Sequence, residues 1–189
     1  MWWNKQVVSS VELPQGFTVR RFSGSDSDID LWIDITKNGL LPQDATKDNF
    51  IEAMVNYPYL DTENIIFIED NSYGVATITP VIQENKMGYI HMVACRLEYR
   101  GMGLGNALNN IALKFLYDAG CNNAYLTTDD FRLAAIKSYI TAGFLPVLYN
   151  DADEMESRWS NVLSELNIDR ISAVDSEGHF VKEIVKSIQ

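Results

Sequence analysis

The chain has 189 residues, 47% of them apolar, which suits one domain with a sizeable core. Lys and Arg total 15 against 26 Asp and Glu, a net charge of −11, and an acidic surface repels phosphate backbones, which argues against a nucleic-acid partner. The two cysteines form no disulfide framework, no His/Cys grouping has metal spacing, and no apolar run reaches membrane-spanning length, so a cytoplasmic protein with reduced thiols, no metal and no membrane partner is expected.

Residues 1–15 open with Trp2 and Trp3 and read as an irregular arm; Met1–Lys5 lacks the apolar core of a secretion signal. Phe17–Phe22 alternates and predicts a strand. Ser23–Asp28 offers turn and cap residues, after which Ile29, Trp32 and Ile33 line one helical face. Asn38-Gly-Leu-Leu-Pro42 breaks that helix, and Thr46 caps a second with Phe50, Ile51, Met54 and Val55 as its apolar face. Ile65–Glu69 and Val75–Pro80 read as a hairpin turning at Asp70–Gly74. A central strand follows over Tyr89–Cys95, in which period-two alternation puts His91 on one face with Val93 and Cys95. Leu104, Leu108, Ile111 and Phe115 then recur at helical spacing up to Gly120. Tyr125–Thr128 reads as a strand and Asp130–Phe144 as a helix region. A further helix begins at Asp151 with acids in its first turn and Met155, Trp159, Val162 and Leu166 as its stripe. In the tail, Asp175–Gly178 is a turn between two short apolar runs, suited to a hairpin or a subunit contact.

Between the central strand and the helix after it lies Arg100-Gly-Met-Gly-Leu-Gly-Asn106. Glycines let backbone N–H groups approach a ligand with no Cβ in the way. The same N–H groups open a helix, whose unpaired donors and dipole favour an anion. The pattern therefore describes a pyrophosphate cradle. A dinucleotide fingerprint would need glycine where Asn106 stands, and a P-loop would need Gly-Lys-Ser/Thr, which is absent.

Arg100-x-x-Gly103-x-Gly105 after a strand resembles the acyl-CoA signature of the GNAT superfamily of N-acyltransferases, Arg/Gln-x-x-Gly-x-Gly/Ala after the fourth strand. Tyr125–Thr128 resembles the family's fifth strand, and Tyr139-x-x-x-Gly143-Phe144 its next helix end. The resemblance spans residues 88–148. It implies an α/β GNAT fold over 1–189 as a single acetyltransferase domain, with 1–15 as arm and 151–189 as C-terminal helix and tail. The sheet would be mixed, mostly antiparallel, of about six to seven strands flanked by helices, and splayed between strands 4 and 5. It implies acetyl-CoA as co-substrate, held at the diphosphate by Arg100, Gly101, Met102, Gly103, Leu104, Gly105 and Asn106, with Arg96 as a further local base. The backbone of Val93, Ala94 and Cys95 would pair with the pantetheine arm and polarise the acyl oxygen.

On the same resemblance Tyr139 is the general acid toward the departing thiolate. Phenol and thiol pKa values of roughly 10 and 8.5 make that transfer feasible. His91 is the candidate general base, since an imidazole accepts a proton near neutrality; Glu69, Glu98 and a water chain are its competitors. Family members often carry Asn seven residues before the tyrosine, where this chain has Arg132, a residue placed to pair with Asp129. Trp32, Leu40, Leu41, Tyr57 and Tyr59 are candidate walls for the acceptor. Cys95 reads as a small wall residue rather than a nucleophile. The activity implied is transfer of an acetyl group from acetyl-CoA to a primary amine, small-molecule or peptide, by direct attack in a ternary complex. The alternative is a non-catalytic acyl-CoA-binding, sensing module of the same fold. Homodimerisation, common in the superfamily, is the remaining partner expectation.

Overall fold

The computed structural model describes residues 1–6, 8, 12–149 and 152–187. In chain order its elements begin with β1 (Trp2–Asn4), β2 (Phe17–Arg21), α1 (Asp26–Thr36) and α2 (Lys47–Phe50), which continues as a π-helix (Ile51–Val55). There follow β3 (Ile66–Asp70), β4 (Tyr73–Ile82), β5 (Met87–Cys95) and α3 (Leu104–Asp118). Last come β6 (Asn123–Tyr125), α4 (Leu133–Thr141), α5 (Ala152–Leu166), β7 (Arg170–Val174) and β8 (Phe180–Val185). The chain forms two compact units, Val7–Asn122 and Met1–Gln6 with Asn123–Gln189. The α/β character and the mostly antiparallel pairing expected from the sequence are present in both. The course of residues 9–11 and the start of the last helix at Asp151 lie outside the described residues.

In the unit of Val7–Asn122, β2, β3, β4 and β5 form an antiparallel meander. The β3–β4 turn has two residues, Asn71 and Ser72, at φ 47° and 68°. Two positive φ values match the twist of the strands they join. Ser25 caps α1 by accepting from the Asp28 N–H. The Asp28 carboxylate is buried and takes two bonds from the Arg20 guanidinium and one from Ser23 N–H, which ties α1 to β2. Arg20 pairs in register with Phe67, Phe67 with Thr77, and Thr77 with Ala94. Phe67 and Ala94 pack with Trp32, Ile33, Ile35, Phe50 and Met54, so this row defines the face that α1 and α2 cover. The neighbouring Arg21 reaches the opposite face, over the ring of Phe115 in α3.

The second helix departs from expectation. Asn56 N–H bonds Ile51 C=O at 2.9 Å, five residues back, which widens the last turn. Phe50 and Met54 are buried, whereas Ile51 and Val55 are 44% and 55% exposed. Only the i, i+4 pair faces the sheet; their i+1 neighbours turn to solvent.

A second departure lies in β5. Thr77 pairs with Ala94 and Thr79 with His91. Two steps on β4 therefore oppose three on β5, the signature of a bulge, and Met92 there has φ 52°. An extra residue reverses the alternation beyond it. His91 thus shares its face with Ala94 and the α1 side, and the expected grouping of His91 with Val93 and Cys95 is overturned.

In the other unit β1 pairs antiparallel with β6, Trp2 opposite Tyr125 and Asn4 opposite Asn123. Trp2 also exchanges backbone bonds with Leu145 at 2.8 and 2.7 Å. The first residues of the expected irregular arm are thus a strand, and Trp3 is 1% exposed. The family's fourth and fifth strands are β5 and β6 in this count. The tail is the hairpin β7–β8, packed on α5 through Leu148, Leu163, Ala173 and Ile184, with Met155 and Trp159 at the margin.

Candidate active site

The glycine-rich stretch leaves a 3-10 turn at Leu97–Tyr99 and enters α3. Gly101 and Gly103 sit at φ 81° and 83°, the left-handed region where a side chain is strained. Gly103 is the N-cap, and the first intrahelical bond runs from Ala107 N–H to Gly103 C=O at 3.2 Å. The N–H groups of Leu104, Gly105 and Asn106 precede that bond and have no acceptor within the helix. A Cβ built at Gly101 meets nothing within 4 Å, and one at Gly103 meets only Pro14 Cγ at 3.8 Å. Met102 beside them is 48% exposed. The mouth of α3 is open, lined by main-chain donors at the positive end of a fifteen-residue helix. These residues fit a diphosphate.

The two arginines expected to help are engaged elsewhere. Arg96 is buried, donates to Gly74 C=O and to the Asp34 carboxylate, and lies over the Tyr73 ring. It braces β4 against α1 and drops out of the cradle. Arg100 donates through Nε to Cys95 C=O at 3.4 Å and through Nη2 to Asn38 C=O. Its partners are neutral carbonyls, so its positive charge still stands behind the mouth while its fork holds the loop after α1.

Val93 and Cys95, past the bulge, are half-buried, and Ala94 is buried against the α1 cluster. The Cys95 Sγ–H points to Arg96 C=O at 3.5 Å, and burial pushes its pKa up to about 11. It remains a neutral thiol at physiological pH, as expected for a wall residue.

His91 is 9% exposed. Its ring stacks on Tyr57 at 4.1 Å and lies 5.6 Å from Tyr89, and Nε2 is 2.9 Å from Ala53 C=O in the π-helix. A carbonyl can only accept, so Nε2 carries the hydrogen and Nδ1 is the nitrogen left to take a proton. Burial lowers the imidazole pKa below 6.5, partly opposed by the Ala53 bond. The ring is therefore neutral at pH 7. Among the rival bases, Glu69 is ion-paired with Arg20, and Glu98 lies exposed in the 3-10 turn. Of the expected acceptor walls, Trp32 is fully buried core, Leu40 and Leu41 pack against the same cluster, Tyr57 covers His91, and Tyr59 is 55% exposed.

Tyr139 belongs to the other unit, near the end of α4. It is 6% exposed and meets Phe144 edge-on at 6.1 Å. Phe144 N–H bonds Tyr139 C=O, and Gly143 between them has φ 93°, which explains the Tyr-x-x-x-Gly-Phe spacing as a helix C-terminal turn. Arg132 pairs with Asp129 at 2.9 Å, as its position suggested.

Residues 37–144, more than half of the chain, match the family described as the Acetyltransferase (GNAT) family. The chain belongs to the GNAT acetyltransferase family. The curated relatives include a mycothiol acetyltransferase of Streptomyces bingchenggensis, 29% identical over 136 residues that make up 70% of this chain and 44% of that one. The chain thus spans less than half the length of the curated relatives it matches. Among solved structures, a GCN5-related N-acetyltransferase from Sphaerobacter thermophilus aligns with TM-score 0.62 at 21% identity, covering 75% of this chain and 45% of that chain. The NatC complex bound to Gag peptide and CoA aligns with TM-score 0.58 at 18% identity, covering 70% and 86%. These likenesses establish the GNAT fold.

Sequence reasoning missed two partners of His91 in this GNAT chain: the Ala53 carbonyl and the cross-strand Thr79. Neither has a local signal. The first depends on the π-turn, the second on a register set by a bulge.

Proposed function

We propose that this GNAT chain is an N-acetyltransferase that moves the acetyl group of acetyl-CoA to a primary amine by direct attack in a ternary complex. The observation that carries this is the open mouth of α3, where glycines at positive φ leave three helix-opening N–H groups facing outward. Acetyl-CoA, when bound, supplies an activated thioester carbonyl and a thiolate leaving group. Gly101 to Asn106 hold its diphosphate through main-chain donors, and the charge of Arg100 backs them. The backbone of Val93, Ala94 and Cys95, beyond the bulge, orients the pantetheine arm and donates to the acyl oxygen as negative charge grows there. His91, neutral and with Nε2 fixed on Ala53, accepts the amine proton at Nδ1. Tyr139 donates its phenolic proton to the departing sulfur. The acceptor is a small-molecule or peptide amine approaching from the α1 and α2 side, where Tyr57 and Tyr59 lie.

Released thiol tests this directly. The purified chain is incubated with acetyl-CoA and a panel of polyamines, amino acids, aminoglycosides and peptide N-termini, and CoA affinity is measured by calorimetry. Amine-dependent thiol release is expected. CoA affinity without turnover on any amine would favour a sensing module, and no CoA affinity would end both readings.

A further inference from the structure

The hydroxyl of Thr79 is fully buried and has no hydrogen-bond partner among the described residues. Buried hydroxyls in folded proteins are almost always satisfied, so an orphan calls for an explanation. Its neighbour Thr77, two residues back on β4 and equally buried, donates to Ile66 C=O at 3.0 Å. Burial therefore does not prevent satisfaction on this strand.

Thr79 stands directly across from His91 in the β4–β5 register. Directly opposed residues share a face, with Cβ atoms about 4.5–5.5 Å apart. The bulge at Met92 is what sets this pairing; without it β5 would slide by one residue and offer a different neighbour. His91 in turn has only Nε2 engaged, on Ala53. Two unsatisfied polar atoms, a hydroxyl and a ring nitrogen, thus rise side by side from the face that α1 and the π-helix cover. Trp32 Nε1, another buried donor with no partner, belongs to the cluster on that same face.

We propose that Thr79 is a positioning residue: its hydroxyl and His91 Nδ1 hold between them the water that carries the acceptor amine's proton to the imidazole. This rests on His91 being the base. The water has three polar partners, namely Thr79 Oγ1, His91 Nδ1 and the incoming amine, as an ordered buried water requires. The amine N–H bond breaks as an O–H bond forms on the water, and the water's other proton passes to Nδ1. Water is regenerated, the amine nitrogen keeps its lone pair for attack, and the imidazole becomes imidazolium. The Ala53 carbonyl at the end of the π-helix accepts from Nε2 throughout and stabilises that cation. The titratable groups facing the ring are the phenols of Tyr57 and Tyr89.

Three variants test it against a merely structural hydroxyl. His91→Ala is expected to lose the rate and the acidic limb of the kcat/KM profile; full activity in this variant would end the base reading and the inference with it. Thr79→Val removes the hydroxyl at nearly constant volume. It is expected to fold with an unlowered Tm, to lose about tenfold or more in kcat at unchanged KM for acetyl-CoA, and to move the acidic limb to lower pH. The imidazolium would have lost a solvating partner. Thr79→Ser keeps the hydroxyl and is expected near the wild-type rate, and Thr79→Ala serves in place of Val should Val not fold. In the His91→Ala background Thr79→Val is expected to cost nothing more. A Thr79→Val enzyme as fast as wild type, or one losing the same factor with and without His91, overturns the role of Thr79 while leaving His91 in place.

Discussion

Replacing Gly103 by Ala and by Asp separates backbone strain from charge at the mouth of α3. Both substitutions place a Cβ at φ 83°, where it would meet only Pro14 Cγ at 3.8 Å. The left-handed conformation costs roughly 1–2 kcal/mol for an ordinary side chain. Each kcal/mol moves Tm by about 2–4 °C in a chain of this size, so Gly103→Ala should melt about 2–8 °C lower, and Gly103→Asp no lower than that, since Asp tolerates the conformation better. The variants differ in one negative charge. About 4 Å from a phosphate oxygen, that charge opposes binding by roughly 1 kcal/mol in a water-like medium and about 4 kcal/mol near a protein surface. Affinity for CoA should therefore fall a further ~5-fold to ~1,000-fold from Ala to Asp. Calorimetric titration with CoA at low salt reads this difference, and a repeat at about 1 M salt should shrink it, because screening then acts within ~3 Å. Equal CoA affinities for the two variants would refute the diphosphate cradle, whatever their stabilities.

The remaining expectations concern other parts of the chain. Tyr139→Phe should lower kcat more than KM in the thiol-release assay; a pure KM effect would remove the general-acid role. Cys95→Ala should keep its activity, and Cys95 should alkylate slowly at pH 8, because its pKa near 11 keeps it protonated. Since His91 has a folded pKa below 6.5, the unfolded chain binds the extra proton first. Its contribution to stability is present above pH 6.5 and declines as pH falls through 6.5 toward the folded value. Urea midpoints between pH 7 and 5 should fall less steeply in His91→Phe than in wild type. Gly178→Ala should destabilise by about 2–5 kcal/mol, because its Cβ would lie 2.1 Å from Trp2 Nε1 and 2.7 Å from Asn4 Oδ1 at a residue already at φ 84°; a thermal melt within a degree of wild type would contradict the packing of β1.

Where interactions are local, sequence alone determined the outcome. A helix mouth loosened by Gly101 and Gly103 needs only neighbouring residues, since the unpaired N–H groups arise from the first turn of α3 itself. The turn Tyr139-x-x-x-Gly143-Phe144, the Ser25 cap and the Asp129–Arg132 pair were legible for the same reason. Tertiary structure decided what depends on residues far apart in the chain. Trp2 and Trp3 became a strand because β6, some 120 residues later, offers them backbone partners. Arg96 left the cradle because Asp34 and the Gly74 carbonyl lie within its reach. His91 changed face because β4 and β5 differ by one residue between two pairings, a count that no periodicity along a single strand contains.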